Sequence, residues 1–321
     1  MLRVVSTSAS GIGHALSSVG ATGRMLMLSD GRRVRYHVYG DPKGRPVLAL
    51  HGTPGSLLKF ASADAAARRR GIAIVSVDRW GYGASEAPRA PRLSDYAHDM
   101  DAVMTQLGWQ RFAVLGISGG GPFAVAVAAG LGERITALAL VAPVGEIAGH
   151  RVGPDGLSLF HGFCFRALAS QPIAVRAVFL AFRAILSISG GAAIRISTSR
   201  AASADRTIMA RPEARRHLAA TFKDGLTGLA RGPALDLALF RKAWDVEPAT
   251  AQCEARLWLG AVDRNVPLVS ARDLARRLGR CEMVRPADAG HYWIVENTDV
   301  VLDWLAGAIE RGAITDCATT R

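Results

Sequence analysis

Residues 112–132 read FAVLGISGGGPFAVAVAAGLG, a stretch without a charged side chain. By length alone this stretch would suffice for a membrane-spanning helix. The glycines and the proline in its middle would break such a helix, because these residues are the least compatible with a helix interior. An apolar strand, a sharp turn at GISGGGP (116–122) and a buried helix fit the same residues, and we predict that arrangement.

Strand and helix patterns alternate on both sides of this segment. The residues from 24 to 41 predict a β-hairpin around Asp30-Gly31. The apolar runs that follow are typical of buried parallel strands: PVLAL (46–50), IAIVSV (72–77), ITALALVA (135–142) and, much later, LWLG (257–260) and EMVR (282–285). Helical patterns separate them, beginning with KFASADAAARRR (59–70). We therefore predict an α/β fold with a doubly wound, mostly parallel sheet.

The alternation stops after Pro143 and resumes near residue 251. Residues 146–250 have helical periodicity and scarcely any strand signal, and we predict a helical cap inserted between two strands of one sheet. The core then comprises residues 24–145 and 251–321. Residues 1–23 have a weak, Ser/Gly-rich middle, unlike the apolar region of a signal peptide, and are interpreted as a loose N-terminal extension.

The formal net charge of the chain is +12. The excess lies at the N-terminus, which carries +5 over residues 1–45, and in residues 146–250, which carry +6. The sequence has no concentrated basic stripe with aromatic residues and no known nucleic-acid module, so we do not expect nucleic-acid binding. The apolar segment 158–194 is interrupted by Arg166, Arg176 and Arg183, which favours a lid helix over an integral membrane span.

The cysteines are scattered at positions 164, 253, 281 and 317, without a C-x-x-C pair or an adjacent histidine cluster. This spacing predicts neither a zinc site nor a disulfide framework, and a reducing cytoplasm is the expected location. The sequence calls for no metal and no organic cofactor. It carries no signal for the oligomeric state.

Ser118 is the candidate nucleophile, because Gly116-Ile117-Ser118-Gly119-Gly120 matches G-x-S-x-G between a predicted strand and a predicted helix. In that context the serine occupies a strained turn, and small residues two positions before and after it let the backbone fold. A phosphate-binding loop would need lysine where Pro122 and Phe123 stand. The glycines therefore indicate a nucleophile elbow.

A serine nucleophile requires a base and an orienting carboxylate. Asp263 in GAVDRNVP and His291 in ADAGHYW each follow a predicted strand, in the order Ser, Asp, His. Glu146 and Asp288 remain alternatives for the acid. The loop HGTPGS (51–56) follows an early strand, so Thr53 and Gly119 are the expected backbone donors of an oxyanion hole.

Together HGTPGS, DRWGYGAS (78–85), GISGGGP, GAVDRNVP and AGHYWIVEN (289–297) resemble the α/β-hydrolase superfamily from about residue 24 to 311. The resemblance implies a triad of Ser118, Asp263 and His291, oxyanion amides of Thr53 and Gly119, and a cap that shapes the substrate pocket. HGTPG is similar to the H-G-x-P-G loop of proline iminopeptidase-like members. The cap shows no acidic signature for a substrate amino group, and Ser118 stands where epoxide hydrolases and haloalkane dehalogenases have aspartate.

The expected function is hydrolysis of a carboxylic ester or related acyl bond in a small to medium hydrophobic substrate. Arg166 or Arg183 is a candidate for meeting an anionic substrate, although a solvated surface position is favoured for both. The same triad also serves carbon–carbon bond hydrolysis, lyase or aminopeptidase chemistry, and some members of the fold bind without catalysis. The sequence does not name the substrate or its binding residues.

Overall fold

The computed structural model describes residues 23–148 and 167–319. The interpreted N-terminal extension lies outside the described residues apart from Gly23, and so does Arg166. Within the described part, strands and helices alternate around one sheet, as the sequence predicts.

The sheet has eight strands in the spatial order β1-β2-β4-β3-β5-β6-β7-β8. Strands β1 and β2 form the predicted hairpin, and β2 runs antiparallel to β4. The remaining neighbours are parallel, so the mostly parallel sheet is confirmed. The strands are β1 (Arg24–Met27), β2 (Arg33–Gly40), β3 (Arg45–Leu50), β4 (Ile72–Val77), β5 (Phe112–Ile117), β6 (Ile135–Val141), β7 (Glu254–Trp258) and β8 (Cys281–Val284).

The helices cover both faces of this sheet. They are α1 (Asp64–Arg69), α2 (Asp95–Gln106), α3 (Gly121–Leu131), α4 (Pro172–Ser197), α5 (Ser203–Ala210), α6 (Pro212–Gly225), α7 (Arg231–Phe240), α8 (Leu268–Arg277) and α9 (Ile294–Thr319). Helices α2, α3 and α8 share one apolar cluster with the sheet, and α1 and α9 share the other. Strands β4 and β5 are buried along their whole length, which explains their continuous apolar sequences.

The predicted helix at KFASADAAARRR differs from the structure at its start. Residues Leu57–Ala63 form a 3₁₀ segment, and the α-helix α1 starts only at Asp64. The side chain of Ser56 accepts a hydrogen bond from the N–H of Leu58, and the Asp78 carboxylate accepts one from the N–H of Leu57 at 2.8 Å. These side-chain acceptors fix the tight first turn directly after the HGTPGS loop.

Helices α4 to α7 lie between β6 and β7, where the sequence predicts an insert. They have an apolar cluster of their own, which joins Leu186 and Ile194 of α4 to Met209 of α5 and Leu218 of α6. Residues 112–132 form β5, a short 3₁₀ turn and α3, so the prediction that they are not one continuous helix is confirmed. Within the described residues, α4 alone is long and apolar enough to cross a membrane by length and composition, which is weak evidence for a span.

The topology collects the candidate residues at one edge of the sheet. Strands β3, β5, β7 and β8 are parallel, so their carboxyl ends meet at the same edge. The HGTPGS loop follows β3, Ser118 follows β5, Asp263 follows β7 and His291 follows β8. Ligand sites of open α/β sheets lie at this edge.

Candidate active site

Ser118 has a strained backbone conformation at the tip of the elbow. It follows the last residue of β5 directly, and its φ of 52° lies in the left-handed region that non-glycine residues rarely adopt. A side chain at either flanking glycine would block the turn. A Cβ at Gly116 would lie 2.6 Å from Ala124 Cβ, and one at Gly120 would lie 2.3 Å from the Leu50 carbonyl oxygen. The G-x-S-x-G spacing is therefore a steric requirement of this bend.

His291 and Asp263 meet as the sequence predicts. The Nδ1 of His291 lies 3.0 Å from Oδ2 of Asp263. The other carboxylate oxygen accepts hydrogen bonds from the backbone N–H groups of Asn265 (2.7 Å) and Val266 (3.1 Å). The Asp263 side chain is only 1% exposed and both of its oxygens are hydrogen-bonded, so the carboxylate is held in place against the imidazole.

The charges of this pair shift both pKa values in the direction of an ion pair. Burial by itself raises the pKa of Asp263, but the charge and hydrogen bond of His291, together with the backbone hydrogen bonds of Asn265 and Val266, outweigh burial and hold the pKa below its ordinary value. Burial by itself lowers the pKa of His291, and the Asp263 carboxylate reverses that effect and raises it. The structure thus stabilises an imidazolium at this position.

The HGTPGS loop packs directly on the elbow. A Cβ built on Gly52 would lie 3.2 Å from Ser118 Cβ, and one on Gly119 would lie 3.1 Å from the backbone nitrogen of Thr53. The two backbone groups that the sequence selects as oxyanion donors, those of Thr53 and Gly119, are therefore neighbours beside Ser118.

A buried ion pair fastens this loop to the insert. The guanidinium of Arg79, which follows β4, donates two hydrogen bonds of 2.7 Å to Asp236 on α7, and both side chains are fully buried. The same guanidinium donates to the carbonyl oxygens of His51 (2.9 Å) and Gly52 (3.1 Å). Asp236 also accepts hydrogen bonds from the hydroxyls of Thr53 and Tyr82.

A second insert carboxylate holds the histidine loop. Asp205 on α5 is 1% exposed, and its two oxygens accept hydrogen bonds from the backbone N–H groups of His291 (3.0 Å) and Tyr292 (2.8 Å). A Cβ at Gly290 would collide with this carboxylate at 2.3 Å. The charge of Asp205 also contributes to the raised pKa of His291, after that of Asp263.

The remaining candidates from the sequence are Glu146 and Asp288 for the acid and Arg183 for contact with an anionic substrate. Glu146 accepts a hydrogen bond from the N–H of Trp244 at 2.8 Å and pairs with Arg277, so its carboxylate is engaged away from His291. Asp288 is exposed. Arg183 is not among the described residues that line the cavity next to Ser118.

That cavity has a volume of about 530 Å³ and lies between the core and the insert. Ser118, Thr53 and His291 line its floor. Its walls are mainly apolar and include Leu168, Val178, Phe179, Leu218, Phe222, Leu237 and Phe240. In residues 23–148 and 167–312, no group of three or more His, Cys, Asp or Glu side chains is arranged to hold a metal ion.

Comparisons with known proteins identify the fold of this chain. A family model for the α/β-hydrolase fold matches residues 45–169. The structure aligns with an esterase from Exiguobacterium antarcticum with a TM-score of 0.65 at 18% identity, covering 90% of this chain and 100% of the esterase. The chain has the α/β-hydrolase fold.

Curated relatives match this chain over part of their length. A haloalkane dehalogenase from Mycobacterium tuberculosis is 29% identical over 113 residues, which are 35% of this chain and 39% of the dehalogenase. A proline iminopeptidase from Xylella fastidiosa is 33% identical over 125 residues, covering 36% of this chain and 38% of the peptidase. The chain thus spans less than two fifths of either relative.

Sequence reasoning missed the residues that join the insert to the core. Arg79 lies within the quoted DRWGYGAS motif, but its partner Asp236 is 157 positions away. The available signal for Asp236 was its place as a lone acid in the apolar helix RGPALDLALF. Asp205 lies in an ordinary polar helix and carries no such signal.

We expect the His291 imidazole to titrate above the ordinary pKa of 6.5, and Asp263→Asn to lower that pKa, because burial alone favours the neutral ring. Histidine NMR across a pH series measures both, with the signal assigned from His291→Gln. Asp288→Asn is the matched control, since this exposed carboxylate lies three positions before His291. An unchanged midpoint in Asp263→Asn would contradict the pairing.

Proposed function

We propose that this protein is a serine hydrolase that cleaves a carboxylic ester or related acyl bond through Ser118. One observation carries the proposal: a serine held at a left-handed φ lines the same cavity as a histidine whose Nδ1 contacts a buried carboxylate. A hydroxyl presented in this way, with an oriented imidazole sharing its cavity, matches the requirements of nucleophilic catalysis.

In the proposed reaction, His291 Nε2 accepts the proton of Ser118 as Oγ attacks the acyl carbon. Asp263 keeps the imidazole in the required tautomer and stabilises its charged form. The N–H groups of Thr53 and Gly119 stabilise the oxyanion, and the imidazolium then protonates the departing alcohol. Water, deprotonated by His291, attacks the acyl-enzyme and releases the carboxylic acid and free Ser118.

The insert serves as the cap in this proposal, with the boundaries predicted above, 146–250. The support is that α4, α6 and α7 supply apolar walls of the cavity. A cavity of about 530 Å³ with such walls fits a small to medium hydrophobic substrate. No Asp or Glu lies among the described residues that line it, so an ester suits the site better than a peptide with a free amino group. Ser118 at the elbow likewise favours an ester over a haloalkane.

Ser118→Ala is expected to reduce hydrolysis of 4-nitrophenyl esters by about 10³-fold or more, because the covalent intermediate can no longer form. Esters of graded acyl length provide the assay. Labelling with a fluorophosphonate should reach Ser118 in the wild type and fail in the variant.

Ser62→Ala is the matched control, a hydroxyl deletion on the 3₁₀ segment after the HGTPGS loop. Equal activity of wild type and Ser118→Ala would show that another residue is the nucleophile. Labelled Ser118 with silent esters would redirect the proposal to carbon–carbon bond cleavage, and an unlabelled Ser118 would indicate a binding protein.

Asp205→Ala is expected to lower kcat/KM by about tenfold to a hundredfold, because the two N–H groups of the histidine loop lose their acceptor. Since the neutral form of His291 acts as the base, kcat/KM rises with pH through the pKa of His291. Loss of the Asp205 charge lowers that pKa, so the midpoint of the profile should move to lower pH.

Glu213→Ala provides the matched control for Asp205, because Glu213 is an acidic residue of the same insert, in the first turn of α6. Its pH profile should coincide with that of the wild type. A lower rate in Asp205→Ala with an unmoved midpoint would indicate that Asp205 supports folding only.

A further inference from the structure

One side of the active-site cavity carries a cation that the proposed hydrolytic steps do not use. Lys59 belongs to the 3₁₀ segment Leu57–Ala63, which continues the HGTPGS loop, and it lines the cavity together with Ser118 and His291. Its position right after that loop places it on the floor of the site, whereas the sequence suggested arginines of the insert for contact with an anion.

The ammonium group of Lys59 has no carboxylate partner within the described residues. The described lining of the cavity likewise contains no acidic side chain. Burial lowers the pKa of Lys59 to about 8, so the group is still mainly charged at neutral pH. A charged group in an apolar cavity is costly unless an opposite charge approaches it.

The charge of Lys59 also acts on the groups around it. It lowers the pKa of His291, although less than Asp263 raises it. Burial, followed by the charge of Lys59, lowers the pKa of His217 on α6 to about 4, so that His217 is neutral and cannot serve as a second cation. The Nε2 of His217 lies 3.1 Å from the backbone oxygen of Lys59, which places α6 against this segment.

A polar group on α6, the hydroxyl of Thr221, also lacks a hydrogen-bond partner within the described residues. Thr221 follows His217 by one helical turn and therefore lies on the same face of α6. It is 1% exposed and lines the cavity, and its hydroxyl makes no hydrogen bond within the described residues. A buried hydroxyl without a protein partner is available to a water molecule or to a polar group of a ligand in the adjoining cavity.

We infer that Lys59 and Thr221 form a subsite for a carboxylate carried by the substrate, so that the preferred ester is a monoanion with an apolar chain. One ammonium and one hydroxyl match the charge and acceptors of a carboxylate, whereas a phosphate would call for more positive charge. The inference rests on the proposed ester hydrolysis and adds its substrate class. The apolar walls would hold the chain between the carboxylate and the reacting carbonyl.

The test uses two matched pairs of esters at neutral pH, because the carboxylate could belong to the acyl or the alcohol part. Mono-4-nitrophenyl adipate is compared with 4-nitrophenyl hexanoate, and 4-hexanoyloxybenzoate with phenyl hexanoate. In at least one pair, Lys59→Met should raise the ratio of KM for the anionic ester to KM for the neutral ester by about tenfold. Thr221→Val should act in the same direction to a smaller extent, and Lys59→Arg should retain most of the preference.

Lys43→Met is the control for net charge, since Lys43 is exposed in the turn before β3, at the opposite end of the sheet. Thermal melting shows whether each variant is folded. If Lys59→Met is unstable, the KM values of Thr221→Val for the anionic and neutral esters, compared with those of the wild type, test the subsite.

Equal effects of these substitutions on the anionic and neutral esters of both pairs would overturn the subsite, while Ser118-dependent turnover of the neutral esters would keep the proposed function. No turnover of any ester, with no fluorophosphonate labelling of Ser118, would overturn the proposed function and this inference with it.

Discussion

The buried ion pair between Arg79 and Asp236 joins the core to the insert beside the candidate active site. It connects the loop after β4, the HGTPGS loop and helix α7 of the insert at a point without solvent exposure. Burying two charges is costly, and it is tolerated here because the hydrogen-bonding capacity of both groups is taken up by each other, by carbonyl oxygens and by the hydroxyls of Thr53 and Tyr82. Loss of one partner from such a pair typically costs about 3–5 kcal/mol, since it leaves the other charge buried and unpaired.

The insert therefore does more than line the cavity. Asp236 braces the loop that carries Thr53, and Asp205 braces the loop that carries His291. Both carboxylates come from helices between β6 and β7, whereas Ser118, Asp263 and His291 all follow strands of the core. The positions of the proposed oxyanion donor and base thus depend on how the insert docks. The side of the cavity that carries Lys59 and Thr221 is likewise formed by both parts, because Lys59 belongs to the core and Thr221 to the insert.

The sequence predicts the core of this arrangement because local rules determine it. Apolar runs mark the strands, parallel strands bring their carboxyl ends to one edge, and the turn at Ser118 tolerates only small residues at 116 and 120. The contacts made by the insert follow no such rule. Asp236, Asp205 and Thr221 reach their positions through the angle at which apolar helices pack, and hydrophobic periodicity does not encode that angle. The sequence pattern places Lys59 at the start of a helix and gives no direction for its side chain.

In the proposed reaction Ser118 carries the acyl group during turnover. Mass spectrometry of the wild-type protein, quenched with acid during hydrolysis of a 4-nitrophenyl ester, tests this directly, because the good leaving group favours accumulation of the acyl-enzyme. Acylation of Ser118 predicts an adduct with the mass of the acyl group on the peptide that contains Ser118, and none in Ser118→Ala. Steady turnover with the adduct on another residue, or an adduct that persists in Ser118→Ala, would contradict it.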